Sequence, residues 1–166
     1  MTDSRVAELP PETRERIARA IHEGYRNDQG GRKPADDPAM AEWDALPDHL
    51  RESNRQQSGH IVDKLRALGY TVQEVGDGEV ELVSFTLAEI EHMAEMEHDR
   101  WMAERLADGW TLGKERDVLG KISPHLVSWE ELPAEVREWD REPVRRIPTL
   151  LAGVALEIRR ASGESL

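Results

Sequence analysis

The sequence predicts a mainly α fold with short β-strand pairs (α+β), built as two tandem copies of one unit about a pseudo-twofold axis. Three observations carry this. Apolar residues recur at helical spacing over most of the length, capping signals punctuate the segments, and one stretch repeats another without a gap. The units are read as residues 12–75 and 86–160 of a single domain, with disordered ends at 1–9 and 161–166.

Pro10 and Pro11 open the first helix, since proline suits a first helical turn. Ile17, Ala18, Ile21 and Tyr25 then mark its apolar face. Residues 29–41 (QGGRKPADDPAMA) are rich in Gly, Pro and Asp and read as a loop. A second helix runs from Pro47 with Leu50, Ile61, Leu65 and Leu68, bent near Ser58–Gly59 and stopped by Gly69. YTVQEV and EVELVSF, joined by Gly76-Asp77-Gly78, read as a hairpin. Thr86 and Glu89 form a capping box for the long helix that ends at Gly109. The segment WTLGKERDVLGKISPHLV is irregular. Ser128 and Glu131 form a second capping box, opening a short helix that Pro133 interrupts. RRIPTLLAGVALEIRR closes the pattern as helix, then strand.

The repeat is seen by sliding residues 43–72 forward by 86 positions. WDALP falls on WEELP, and RESNRQ falls on REWDRE. Ile61 meets Ile147, Leu65 meets Leu151, and Val72 meets Ile158. The preceding helices match at an offset of 76, with His22 and Tyr25 on His98 and Trp101. The connector of the second copy is therefore ten residues longer.

Composition excludes several classes of function. Cysteine is absent, so disulfides, thiolate catalysis and Cys-type zinc sites are excluded. A net charge of −12 disfavours nonspecific nucleic-acid binding and docking on anionic lipid. The chain holds no apolar run of the ~20 residues a membrane span requires, and its start lacks a signal-peptide pattern. A cytoplasmic location is the simplest reading. Positive charge concentrates in residues 137–160, where six arginines stand against four acids.

HDRWMAERLADGWTLGKERD, PHLVSWEELPAEVREWDREPV and IPTLLAGVALEI resemble the RyR repeat, the tandem unit of the ryanodine receptors, which also occurs in bacterial proteins. The shared pattern falls on His98 and Trp101, Gly109-Trp110, Gly113, Asp117, Pro124 to Val127, Trp129, Leu132 and Leu150-Leu151. The first copy is a weaker match: Tyr25 replaces Trp, and the Gly-Trp-x-x-Gly connector is missing. Asp140 stands where the motif often has Asn, and Asn54 keeps Asn in the first copy. The resemblance implies a helical pair of repeats acting as a regulatory module. It also implies a cleft between repeats suited to adenine-nucleotide-like ligands.

The candidate ligand site follows from the repeat. His and an aromatic three residues apart share a helix face, so His22 with Tyr25 and His98 with Trp101 could clamp a flat ring. Arg105, one turn beyond Trp101, could reach a phosphate. Asn54 could read a base edge, Asp140 occupies the matching position of the second copy, and Arg55 and Arg141 follow immediately and could supply positive charge. The competing reading makes these residues core and solvated helix face. Glu89/His92 and Glu95/His98 have the spacing of di-iron ligands, but both lie on one helix, so no metal is called for. No phosphate loop or nucleophile elbow is present, and no cofactor is called for. The expected function is non-catalytic binding of a small nucleotide-like ligand, with a protein partner also possible. The alternatives are a protein-interaction module with a peptide-accepting cleft and, third, a nucleotide hydrolase.

Overall fold

A computed structural model describes residues 9–76 and 78–161. The expected disordered ends therefore lie outside the described residues, except for residues 9 and 161, and so does Asp77 of the expected hairpin turn. Two compact units appear. The first runs to Val83 and resumes at Pro148, and the second is Ser84–Ile147.

In the first unit, α1 (Pro11–Asp28) begins at Pro11 and carries Ile17, Ala18 and His22 on its buried face. Pro47 caps α2 (Asp48–Ala67), an unbroken helix whose Ser58 is fully buried where a bend was expected. The Ser58 hydroxyl donates to the Arg55 carbonyl 2.9 Å away, so its polar group is satisfied within the helix. α1 and α2 pack together, with Ala18, Ala41, Trp43, Leu46 and Leu50 forming one apolar cluster. The loop between these helices contains two single 3-10 turns, Pro38–Met40 and Trp43–Ala45.

The expected hairpin is not formed. Of its two strands only β1 (Tyr70–Glu74) exists, and residues 79–86 are irregular. β1 instead pairs antiparallel with the last strand of the chain, Leu156–Arg160, with Tyr70 opposite Arg160 and Glu74 opposite Leu156. Alternating hydrophobicity marks a segment able to pair but does not name its partner. Here Leu156, Glu157 and Ile158 are buried, and β1 covers their edge. That pairing assigns residues 148–160 to the first unit, whereas the sequence grouping placed them in the second copy.

The second unit is built on α3 (Leu87–Ala107), whose Thr86–Glu89 capping box forms in both directions. Gly109 ends it at φ 87°, a left-handed conformation that glycine adopts without penalty. Two two-residue strands follow, β2 (Thr111–Leu112) and β3 (Ile122–Ser123), paired in parallel. The loop between them is pinned by Asp117, which exchanges backbone bonds with Ile122 and accepts from Gly120 N–H. Gly113 is required by space, because a Cβ there would lie 2.3 Å from Ile122 Cγ2. These contacts give a structural reason for the Gly-Trp-x-x-Gly and Asp positions of the motif.

Ser128 donates both its N–H and its hydroxyl to Glu131, opening a 3-10 turn at Trp129–Glu131. Pro133 does not interrupt a helix; it caps the next one, α4 (Ala134–Arg145). The short α5 (Ile147–Ala152) follows, and β4 (Leu156–Arg160) completes the set.

The offsets of 76 and 86 residues recur in the contacts inside each unit. His22 Nε2 donates to the Ala41 carbonyl and His98 Nε2 to the Val127 carbonyl, both at 2.6 Å. Each imidazole lies beside a tryptophan: Trp43 at 6.0 Å from His22 and Trp129 at 6.1 Å from His98. Arg55 pairs with Glu15, and Arg141 pairs with Glu91. Arg51 donates to the Trp43 carbonyl, and Arg137 to that of Trp129.

Candidate functional site

The second unit encloses a cavity of about 350 Å³. Three elements form its walls. From α3 come His98, Trp101 and Arg105; from α4 come Val136, Trp139 and Asp140; from the connector come Trp110, Arg116, Ser123 and His125. The volume sits at the lower end of the range for small-ligand pockets, roughly 300–1,000 Å³.

The three tryptophans serve different parts of the wall. Trp110 is buried, and its Nε1 donates to Asp108 Oδ2 at 3.3 Å. Trp101 stacks on His98, with centroids 5.8 Å apart and planes at 23°. Trp139 is 64% exposed and meets His125 edge-on at 5.6 Å. A large aromatic left this open on a pocket rim contributes little to the core.

Charge is arranged as unevenly. The Arg105 guanidinium lies over Trp110 at 4.9 Å and Trp101 at 5.8 Å. Such cation–π contacts orient the group without neutralising it. Among the described residues neither Arg105 nor Arg116 has a carboxylate partner, in a chain carrying an excess of acids. Burial, with help from His98 and Arg116, pushes His125 below its ordinary value of 6.5, so its ring is uncharged at neutral pH. Asp140 is the only carboxylate among the lining residues, and its Oδ2 lies 3.7 Å from His98 Nδ1.

Of the residues expected to bind ligand, the cavity brings together His98, Trp101, Arg105 and Asp140. His98 is 2% exposed, and its Nε2 is committed to Val127, so it orients the wall. Arg141 does not line the cavity; its guanidinium makes a two-pronged contact with Glu91 and a further one with Glu138. His22, Tyr25, Asn54 and Arg55 lie in the first unit, each with an internal partner. His22 holds Ala41, Tyr25 donates its hydroxyl to Asp37 at 2.8 Å, and Asn54 donates to the Leu50 carbonyl. Arg55 pairs with Glu15, matching the Arg141–Glu91 contact.

Sequence reasoning passed over Trp110, Arg116, Ser123, His125 and Trp139 as binding residues. The signal for four of them was the longer connector, since inserted chain with tryptophan, arginine and histidine needs a use. Trp139 had a signal of its own: the matching position of the first copy is Ser53. Among the described residues no group of three or more His, Asp or Glu is placed to hold a metal ion.

Residues 78–160 match the family described as the RyR domain, which is half of the chain. The protein belongs to the RyR domain family. Within this RyR domain the matched residues include α3, the connector and α4, and hence every lining residue of the cavity. No helix in the described part of the RyR domain is long and apolar enough to cross a membrane.

The paired arginines make a pH prediction. Hydrogen bonding to Arg141 and Arg55 holds the Glu91 and Glu15 carboxyls below their ordinary value of 4.5. A depressed folded pKa gives stability that is present above the ordinary value and lost as protons bind below it. The melting temperature should therefore fall as pH drops from about 4.5 through the depressed range. Glu91→Gln should flatten part of that slope in a melting series from pH 6 to 3. An unchanged slope would show that the pair contributes nothing to acid sensitivity. Both carboxylates are partly exposed, so solvent screening keeps each contribution small.

Proposed function

We propose that the second unit is a non-catalytic binding module for a small anionic, nucleotide-like ligand. One observation carries the reading: a cavity walled by three tryptophans holds two arginines that have no carboxylate partner among the described residues. Aromatic faces accept a flat heterocycle by stacking, and unpaired guanidinium groups accept phosphate or carboxylate oxygens. The resemblance to the ryanodine-receptor unit points to a nucleotide, adenine nucleotides among them. Arg105 and Arg116 would hold the anionic end, and the open face of Trp139 offers a platform for the ring.

The test is titration of the intact protein with nucleoside monophosphates, followed by calorimetry and tryptophan fluorescence. Binding should quench fluorescence and raise the melting temperature by mass action. Trp139→Ala should melt close to the parent, because the ring is 64% exposed. It should weaken binding by about 1–3 kcal/mol through lost stacking. Equal affinity in parent and variant would remove Trp139 from the site. Nucleotides incubated with the protein and divalent cations should be recovered unchanged. Steady turnover would replace the binding reading with the hydrolase one.

A second reading has its own observation. Leu119 is 98% exposed and Val118 59% exposed at the tip of the loop between β2 and β3. That apolar tip suits a protein partner. Co-purification of a protein that is lost on Leu119→Asp, with no nucleotide bound, would favour it.

A further inference from the structure

We propose that the cavity holds a phosphomonoester subsite, with Arg105, Arg116, Ser123 and His125 as the donors to a terminal phosphate. The inference rests on reading the cavity as a nucleotide site and specifies the anionic end of that nucleotide: a free monoester, not a diester.

The lining carries more donors than the protein itself uses. Arg105 and Arg116 have no carboxylate partner among the described residues. Neither ring nitrogen of His125 has a hydrogen-bond partner there, and its ring contact is the edge-on one with Trp139. Ser123 is 4% exposed, and its Oγ accepts the backbone N–H of His125 at 3.2 Å. Its hydroxyl hydrogen has no acceptor among the described residues. A hydroxyl this buried, lining a cavity with its donor unused, calls for an acceptor in that cavity.

A phosphomonoester brings a charge of about −1.5 to −2 at pH 7 and three terminal oxygens. A diester keeps a single charge and fewer such oxygens. Attraction scales with the product of the charges, so two guanidinium groups favour the dianion. The titratable and charged groups that face His125 are His98 and Arg105 from α3, Asp140 from α4 and Arg116 from the connector. Burial, with help from His98 and Arg116, keeps this ring uncharged in the free protein. A neutral imidazole still donates one N–H, and a dianion beside it favours the charged form, which donates two. Asp140, 3.7 Å from His98 Nδ1, repels an anion, which leaves the phosphate to the four donors.

Three of those donors lie in the connector, the segment that is longer in the second copy. Asp117, next to Arg116, exchanges backbone bonds with Ile122, next to Ser123. The backbones that carry Arg116 and Ser123 are thus tied together before a ligand arrives, which lowers the ordering cost of binding.

The experiment is calorimetric titration of the full chain at about pH 7.5, where the monoester is mostly a dianion. The ligands are adenosine monophosphate, its phosphate methyl ester, cyclic adenosine monophosphate and inorganic phosphate. Adenosine monophosphate should bind about tenfold or more tighter than either diester, as expected for the loss of a hydrogen bond to a charged group. His125→Phe keeps a flat ring against Trp139 but has no N–H. It should weaken adenosine monophosphate by about tenfold and narrow the gap to the diesters, with circular dichroism and melting verifying the fold. A diester that binds the parent as tightly as the monoester would overturn the subsite and leave the nucleotide reading standing. Inorganic phosphate binding as tightly as adenosine monophosphate, with both diesters weaker, would overturn the nucleotide reading and leave the subsite. Binding by none of the four would overturn both. An unchanged gap in folded His125→Phe would remove His125 from the subsite.

Discussion

Replacing Trp129 with alanine is expected to lower the unfolding free energy by about 3–5 kcal/mol, the range for truncating a buried aromatic. Trp129 is 6% exposed, and its Nε1 donates to Glu91 at 3.0 Å. Its ring lies against His98, with the Arg137 and Arg141 guanidinium carbons at 5.7 and 5.8 Å from its centroid. Truncation leaves a cavity beside a buried imidazole and removes a bond from Glu91, so the surroundings cannot simply close in. Chemical denaturation followed by circular dichroism measures the loss, because fluorescence would be altered by the substitution itself. Trp129→Phe should recover a large part of it by refilling the space. Trp43→Ala should behave alike in the first unit, where Trp43 is 9% exposed and meets His22. A loss below about 1 kcal/mol at Trp129 would show that the ring packs loosely.

Removing both Arg105 and Arg116 is expected to abolish anion binding while leaving the fold intact. Hydrogen bonds to charged groups are worth about 1.5–3 kcal/mol each. Each single alanine variant should then weaken binding by about tenfold to a hundredfold. The double variant should fall below detection, though neighbouring sites need not add. Neither arginine has a carboxylate partner among the described residues, so no ion pair is broken. Arg105 does cover Trp110 and Trp101, so Arg105→Ala loses some packing as well. Arg105→Lys separates these effects, retaining charge and stem but losing the planar fork. Affinity unchanged in the double variant would place the anion elsewhere. Such a result would also remove the observation on which the binding reading stands.

Much of the fold could be read from residues near one another in the chain. Pro11 at the start of α1, the Thr86–Glu89 capping box and Gly109 after α3 are local signals, and each acts where its residues stand. The contribution of Ser128 and Glu131 is of the same kind, though they open a 3-10 turn and leave the helix start to Pro133. The equivalence of His22 with His98 and of Arg55 with Arg141 was legible from two offsets. It appears as matching contacts with Ala41, Val127, Glu15 and Glu91.

The site was legible only in part. His98, Trp101, Arg105 and Asp140 share spacing signals on their helices, and the cavity unites them. Arg141 looked equivalent in charge to Arg105, but the sequence could not show that Glu91 pairs with Arg141 while Arg105 has no carboxylate partner among the described residues. That distinction depends on which side chains meet across α3 and α4. The irregular connector carried no periodic signal, so the placement of Arg116 and His125 could not be anticipated.

By itself the sequence determined the mainly helical class, most of the helix starts and stops, and the family, because caps, periodicity and short motifs are properties of neighbouring residues. Only the tertiary structure decided that β1 pairs with Leu156–Arg160 and that the tryptophan-walled cavity lies within the second unit. Strand partners and pocket walls are chosen by contacts between residues far apart in the chain. Those contacts depend on which edges and faces remain open after the helices pack, a quantity that no local pattern encodes.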